Sequence, residues 1–553
     1  MEIKNIAFTV LSLTMIAVIT SCYNDDSTLA DHPLKGITIT TDGNETLYTS
    51  YLDYLDIAPV VNRGTATDTV GLTYRWQITE APKDQADWID ISSDPKLHAV
   101  MNNPIATSPY YLKLTVTDTQ QGNIEAYKMW KVYINSAFLD GLLVSSTYDN
   151  QNSDFSLIMN NELTLNYNKE DQLFHNIIEK ANGSPLDGLM TQLTFNMYGR
   201  PILSHTNQVW AVMADGDCVR FDTEDYSQTA RLSEGGIMTY RPEGLKCTNT
   251  FIAAQRFYLN TDLNIYQFNS TSANNFGWYD TAASNYKIDN GIVAATTFYD
   301  IYYQNAIWYD AEKGCFVYAT GNLTMQYGID FASNSWFDPS NMPGYTAIAA
   351  GMTTDSKTPA FVMKNKSTGQ YAIYTFTRYE EAQGYWDDTW TSWTETSPAV
   401  PHSAKMRYDI PSEGKQLLDN AVSVFFAADQ SILYVATSTG IYTINFAGTS
   451  LIVNTTPVFT SSGGEKITKA KLYVQGMYMI EAERVGIPDD IAGVYAELPF
   501  NKKAVVIASQ AGETEGIISI VPMTQIGTGN LDSSNARRYT GFGKILDFCT
   551  TAY

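Results

Sequence analysis

The stretch "AIWYDAEKGCFVYAT" occupies residues 306–320. Two apolar, aromatic-rich runs flank a short polar connection that ends on a glycine. That is the pattern of two antiparallel strands joined by a turn. The same build recurs at "LLVSSTYDNQNSDFSLIMN" (142–160), "VWAVMADGDCVRFD" (209–222) and "FIAAQRFYLNTDLNIYQFN" (251–269). It appears again at "AFVMKNKSTGQYAIYTFT" (360–377), "ILYVATSTGIYTINF" (432–446) and "AVVIASQAGETEGIISIVPM" (504–523). Regular repetition of multi-stranded units predicts a β-propeller over residues 137–553, with seven blades and each hairpin forming the inner pair of its blade. Stacked sandwiches would also produce hairpins, but the shared build of the seven favours the propeller.

The ends of this region are orphaned in the same way. "FLDGLLVSS" (138–146) opens it, and "GFGKILDF" (541–548) ends it with no hairpin after it. Pairing the first and last elements in one blade would remove an exposed edge. Connections near 160–205 and 378–430 are long enough to hide or mimic a further blade.

Upstream the pattern changes. "GLTYRWQI" (71–78), "ADWIDIS" (86–92), "SPYYLKLTVTDTQQG" (108–122) and "AYKMWKVYIN" (126–135) are short strands, the clearest of them alternating apolar and polar residues. Their spacing predicts an antiparallel sandwich over residues 36–136. "TYRWQI" followed by "YYLKLTVTDTQQGNIEAYKMWKVYI" resembles the PKD-like domains of Bacteroidetes lipoproteins, where an aromatic-x-Trp strand precedes a Tyr-x-Leu-x-Val-x-Asp strand. The resemblance implies an immunoglobulin-like fold and no particular ligand. Trp76 reads as a core residue.

The chain begins "MEIKNIAFTVLSLTMIAVITSCYNDDST". Its apolar run has secretory-signal length and is too short for a membrane span. "ITSC" resembles the lipobox of bacterial lipoproteins. This implies a signal peptide over residues 1–21, acylation of Cys22 and a tether over 22–35, with the acyl chains holding the protein at a membrane. Asp25 and Asp26 behind the anchor resemble an export signal for the outer face of the outer membrane.

The net charge of −24 argues against nucleic acid and anionic membrane as partners. With 37 Tyr, 23 Phe and 10 Trp, the composition suits strands, and long helical periodicities are scarce. Cys218, Cys247, Cys315 and Cys549 form no CxxC pair, so metal ligation is not expected, while disulfides and buried free thiols both stay open. No HExxH, P-loop, EF-hand or GxSxG motif occurs, and no cofactor is expected. The five histidines, His32, His98, His175, His205 and His402, are far apart in sequence. Acids are so abundant that pairs such as Asp387–Asp388 and Asp489–Asp490 are uninformative. "ADGD" (214–217) reads as a hairpin turn rather than a calcium loop.

One cluster stands out: "GYWDDTWTSWTET" (384–396), with Tyr385, Trp386, Trp390 and Trp393. Exposed aromatic faces stack on sugar rings or peptide side chains, whereas buried ones would simply be blade core. A second aromatic stretch, "NNFGWYDTAASNY" (274–286), raises the same question. The resemblance implies a surface lipoprotein accessory to a TonB-dependent SusC/SusD-type importer, binding oligosaccharide or oligopeptide without catalysis. The alternatives are a glycan or peptide hydrolase on the propeller, and a structural adhesin.

Overall fold

The computed structural model describes residues 36–552 apart from 42, 65–68, 81–86, 107, 139, 166, 168, 201–203, 239–240, 254–255, 269–285, 296–304, 321–325, 330, 354–357, 381, 388, 390 and 477–496. Residues 1–35, with Cys22 and the stretches read above as a signal peptide and a tether, lie outside the described residues. Strands dominate, with two short α-helices, Ile177–Asn182 and Ser412–Asp419, among the described residues. The chain divides into two compact units. One runs to Thr49 and includes Tyr54–Met101 and Ala106–Ile134; the other comprises Ser50–Asp53, Asn102–Ile105 and everything from Asn135.

The N-terminal unit is built on a five-stranded antiparallel sheet in the order Thr46–Ser50, Ile124–Asn135, Tyr110–Asp118, Leu72–Thr79, Ile89–Ser92. Two ribbons accompany it, Ile37–Thr40 with Val60–Arg63 and Tyr54–Ile57 with Leu97–Val100. Along Tyr110–Asp118 every second residue is buried, because successive side chains leave a strand on opposite faces. Trp76 lies in this core as expected, its ring stacked on Trp130 at 5.5 Å and its Nε1–H donating to the Asp94 carbonyl at 2.9 Å. The motif aspartate has a structural role. The buried Asp118 carboxylate accepts from Arg63 Nε at 2.7 Å and Nη2 at 3.0 Å, and from the Gln120 amide at 2.9 Å and Gln121 Nε2 at 2.5 Å. Burial pushes its pKa up, but the donors outweigh that and leave the carboxyl below its ordinary value.

Among its described residues the C-terminal unit contains seven successive antiparallel sheets of three to five strands, and a two-stranded one inserted in the fifth. All seven hairpins expected from the sequence are present as antiparallel pairs. Their position differs from the expectation. In the four-stranded sheets the hairpin supplies the two middle strands, not the inner pair, and a further strand precedes it. In the first sheet that place is taken by the last strand, Lys544–Thr550, which pairs antiparallel with Leu142–Thr147. In the others it is taken by Met190–Arg200, Cys247–Ala253, Val293–Ala295, Tyr345–Met352, Ala421–Phe426 and Lys466–Leu472.

The middle strands are buried on both faces, and alternate residues belong to different cores. Val505 and Ile507 pack with Ile432 and Tyr434 of the sixth sheet, whereas Val506 and Ala508 pack with Leu142, Val144 and Phe548 of the first. The fifth sheet behaves alike: Phe361 and Met363 join Phe316 of the fourth, and Ala360 and Val362 join Leu433 of the sixth. Phe155 of the first sheet meets Phe221 of the second, ring centroids 5.1 Å apart. Asp547 fastens three strands at once. It accepts from Lys471 at 2.5 Å, Lys469 at 2.9 Å and the Leu193 amide at 2.7 Å.

Among the described residues the long connections hold no further sheet of three or more strands. Residues 160–205 hold a short helix and the leading strand of the second sheet. Residues 378–430 hold an inserted hairpin, the outer strand Ala404–Asp409, the helix Ser412–Asp419 and the leading strand of the sixth sheet.

Candidate functional site

The inserted hairpin carries the aromatic cluster. Strands Gln383–Trp386 and Trp393–Ser397 pair antiparallel, with Trp386 opposite Trp393 and Tyr385 opposite Thr394. They lie between Tyr371–Phe376 and Ala404–Asp409, which pair directly with each other in the fifth sheet, so the hairpin is an addition to that sheet. Every residue from Trp393 to Val400 is exposed.

Directly opposed residues share a face, so Trp386 and Trp393 stand together, ring centroids 5.6 Å apart and tilted by 58°. They are 48 % and 42 % exposed. Gly384 makes room for this arrangement. A Cβ there would come within 2.4 Å of Trp393 Cζ2, so the indole of Trp393 lies across the backbone where a side chain would be. Tyr385, 61 % exposed, is the sequence neighbour of Trp386 and belongs to the other face. Trp390 lies outside the described residues, as does most of the 274–286 stretch.

The turn is organised by Asp387. Its carboxylate accepts from the Thr391 amide at 2.8 Å, Thr391 Oγ1 at 3.0 Å and Thr389 Oγ1 at 3.1 Å. The bond from the Thr391 amide is the main reason its carboxyl sits below the ordinary value. At the root, the Glu380 and Val400 backbones exchange two hydrogen bonds, 3.0 and 2.8 Å. Beneath them His402 is buried, its Nδ1 2.6 Å from the Thr377 carbonyl and its ring beside Tyr379 and Tyr318. Burial pulls its pKa down to about 4, so it is neutral near pH 7.

The result is a rooted, two-stranded arm with a wet tryptophan pair on one face and acids and threonines around it. It suits stacking on a flat apolar surface. Trp336, 51 % exposed, escaped the sequence reading because it stands alone in its stretch. Its amide donates to Asn334 Oδ1 at 2.8 Å, and Asn334 Nδ2 in turn binds the Ala404 carbonyl at 2.9 Å, so this loop is tied to the strand that follows the arm.

Other candidates resolve into structure. Asp217 of "ADGD" is occupied by Arg231 at 2.6 Å, Ser233 Oγ at 2.7 Å and two backbone amides. His98 binds Asp56 at 2.7 Å and stacks on Tyr54, and His175 binds Ser156 at 2.9 Å. Asp489 and Asp490, His32 and the side chain of His205 lie outside the described residues. Among the described residues no group of three or more His, Cys, Asp or Glu could hold a metal.

No family model matches the chain, and no curated protein does. Solved structures with some likeness include the Vibrio parahaemolyticus oligogalacturonate lyase, at 11 % identity over 66 % of this chain and 87 % of that one, with a TM-score of 0.28. The Aleuria aurantia lectin, titled a six-bladed β-propeller with fucose recognition, gives 11 % identity, 66 % and 97 % coverage and a TM-score of 0.26. Apo AztD from Citrobacter koseri gives 9 % identity, 86 % and 99 % coverage and a TM-score of 0.27. Likeness at this level assigns no activity or ligand to this chain.

Proposed function

We propose that this protein is a surface-exposed outer-membrane lipoprotein that binds oligosaccharide or oligopeptide without catalysis, beside a SusC/SusD-type TonB-dependent importer. In this reading Cys22 carries the lipid, residues 36–136 form the PKD-like sandwich, and the seven sheets are the blades of a β-propeller whose first blade takes in the C-terminal strand. The observation that carries the binding role is the 383–397 arm. Two tryptophans held 5.6 Å apart in water leave a large apolar area uncovered, at a place where the fold gains nothing from it. Aromatic anchors of this kind dominate binding energy where they find a partner.

Titration of the mature chain against a panel of oligosaccharides and peptides tests the reading. A ligand that binds without turnover is expected, and Trp386→Ala or Trp393→Ala should weaken it by about 1–3 kcal/mol, roughly 5- to 150-fold. Binding unchanged in both variants would remove the arm from the site, and turnover would favour the hydrolase. Cys22→Ala should release the protein from the membrane fraction. Affinity purification of a tagged copy from native membranes should recover the transporter.

A further inference from the structure

Four thiols lie among the described residues, and two of them share one hydrophobic core. Cys218 opens the strand Cys218–Asp222 of the second sheet, and Cys247 opens the leading strand of the third. The Cys247 amide donates to the Gly216 carbonyl at 2.7 Å, so the two backbones run side by side where the sheets adjoin. The side chains share one core with Trp210, Leu232 and Phe257 and are 0 % and 3 % exposed; burial, with Cys218 adding to it, pushes the Cys247 thiol up. The Cys247 thiol also donates to the Asn249 carbonyl at 3.8 Å. Cys315 belongs to a different core, with Tyr258 and Trp308, and Cys549 to the last strand.

We propose that Cys218 and Cys247 are joined by a disulfide in the exported protein, stapling the second sheet to the third. The step exchanges two S–H bonds for one S–S bond. The two electrons and two protons pass to the disulfide of an extracytoplasmic thiol oxidoreductase, or to glutathione disulfide in a test tube, which becomes a dithiol or two thiols. Timing follows from burial. The attacking species is a thiolate, and in the folded core both sulfurs are buried away from any oxidant. The bond therefore forms while the two strands dock, and a chain folded reduced stays reduced.

The test uses the full chain in two arms: isolated from cells that export it, and refolded from denaturant in a glutathione redox buffer. Free thiols are alkylated in denaturant without reductant, and the peptides are mapped by mass spectrometry. A Cys218–Cys247 linked peptide is expected in both arms, with Cys315 and Cys549 alkylated. Folded reduced protein given glutathione disulfide should form no link. Alkylation of both Cys218 and Cys247 in the refolding arm, or linkage of either to Cys315 or Cys549, overturns the pairing. A link in the refolding arm alone would leave the pairing standing and count instead against export, on which the first arm rests. Reduction should lower the melting temperature of the linked protein by several degrees and leave a Cys218→Ser/Cys247→Ser double variant unmoved. An equal shift in that variant would mean that the staple does not hold the sheets.

Discussion

Strand Tyr110–Asp118 of the N-terminal unit alternates buried and half-buried residues along its length, whereas Ala504–Ser509 of the seven-sheet unit is buried at every position. Both are central antiparallel strands with the same pleat. They differ in how many faces are covered. The five-stranded sheet leaves one face to solvent, so only one parity of residue must be apolar. A middle strand such as Ala504–Gln510 lies between two neighbouring sheets, so both parities are recruited, to two separate cores. The difference also governs what each unit tolerates. In the first, polar residues such as Lys113 and Thr115 sit within the strand; in the second, a change at any middle-strand position meets a packed interface.

The largest expected effect tests that parity rule. Ile432 and Leu433 are sequence neighbours in different cores, and truncating either to alanine should cost about 2–5 kcal/mol. In the N-terminal unit Leu114→Ala should cost a similar amount, while Thr115→Ala, one residue on, should stay within about 0.5 kcal/mol of the parent. Denaturant midpoints read by hydrogen exchange within each unit would settle it. A cheap Ile432→Ala or a costly Thr115→Ala would break the comparison.

Acid should separate the units next. Buried His402 stays neutral down to about pH 4, while in the unfolded chain the imidazole protonates near its ordinary value of 6.5. Its folded pKa is depressed, so stability is undiminished above about pH 6.5, falls between about 6.5 and 4, and then levels off, a loss of about 3 kcal/mol. The stability difference between the parent and His402→Gln, followed from pH 8 to 4, should trace that curve; a flat difference would sink the assignment. Asp118 works in another window. Its folded pKa is also depressed, so its contribution is present above the ordinary value of 3.8 and lost only as pH falls below it. Asp118→Asn should therefore remove an acid-sensitive step below about pH 4 in the N-terminal unit, without altering its behaviour between 4 and 7.

The smallest effect belongs to the arm. Trp386→Ala and Trp393→Ala remove exposed side chains and should change unfolding free energy by no more than about 0.5 kcal/mol. A large loss of stability would make the pair a structural contact and take away its value as a binding surface.

Much of this molecule follows from local pattern. The seven hairpins are legible because two-sided burial produces dense apolar and aromatic runs, broken only where the chain must turn. The N-terminal strands are legible because one-sided burial produces alternation, and Trp76 was recognisable as core from its place in that rhythm. Apart from the last strand, whose pairing with the first hairpin was expected and is present, the leading and outer strands of the sheets were not legible. Ala421–Phe426 and Ile452–Thr460 are half-exposed and mixed in composition, so they become strands by pairing with a hairpin that already exists. That is why the hairpins are the middle pairs rather than the inner ones, and why 378–430 looked like a loop.

The same division holds for the sites. Sequence alone marked the tryptophan cluster as unusual by its concentration, but its composition fits buried core and wet surface equally well. Only the register, Trp386 opposite Trp393 with Gly384 beneath, placed the pair together and in water. Cys218 and Cys247 are unremarkable in a one-dimensional reading, because nothing in their spacing distinguishes them from Cys315 and Cys549. Strand order and the packing of the second sheet on the third bring those two cysteines into one core. A sequence records which residues prefer burial and where the chain turns; which buried residues become neighbours depends on contacts between distant segments, and those exist only once the sheets have assembled.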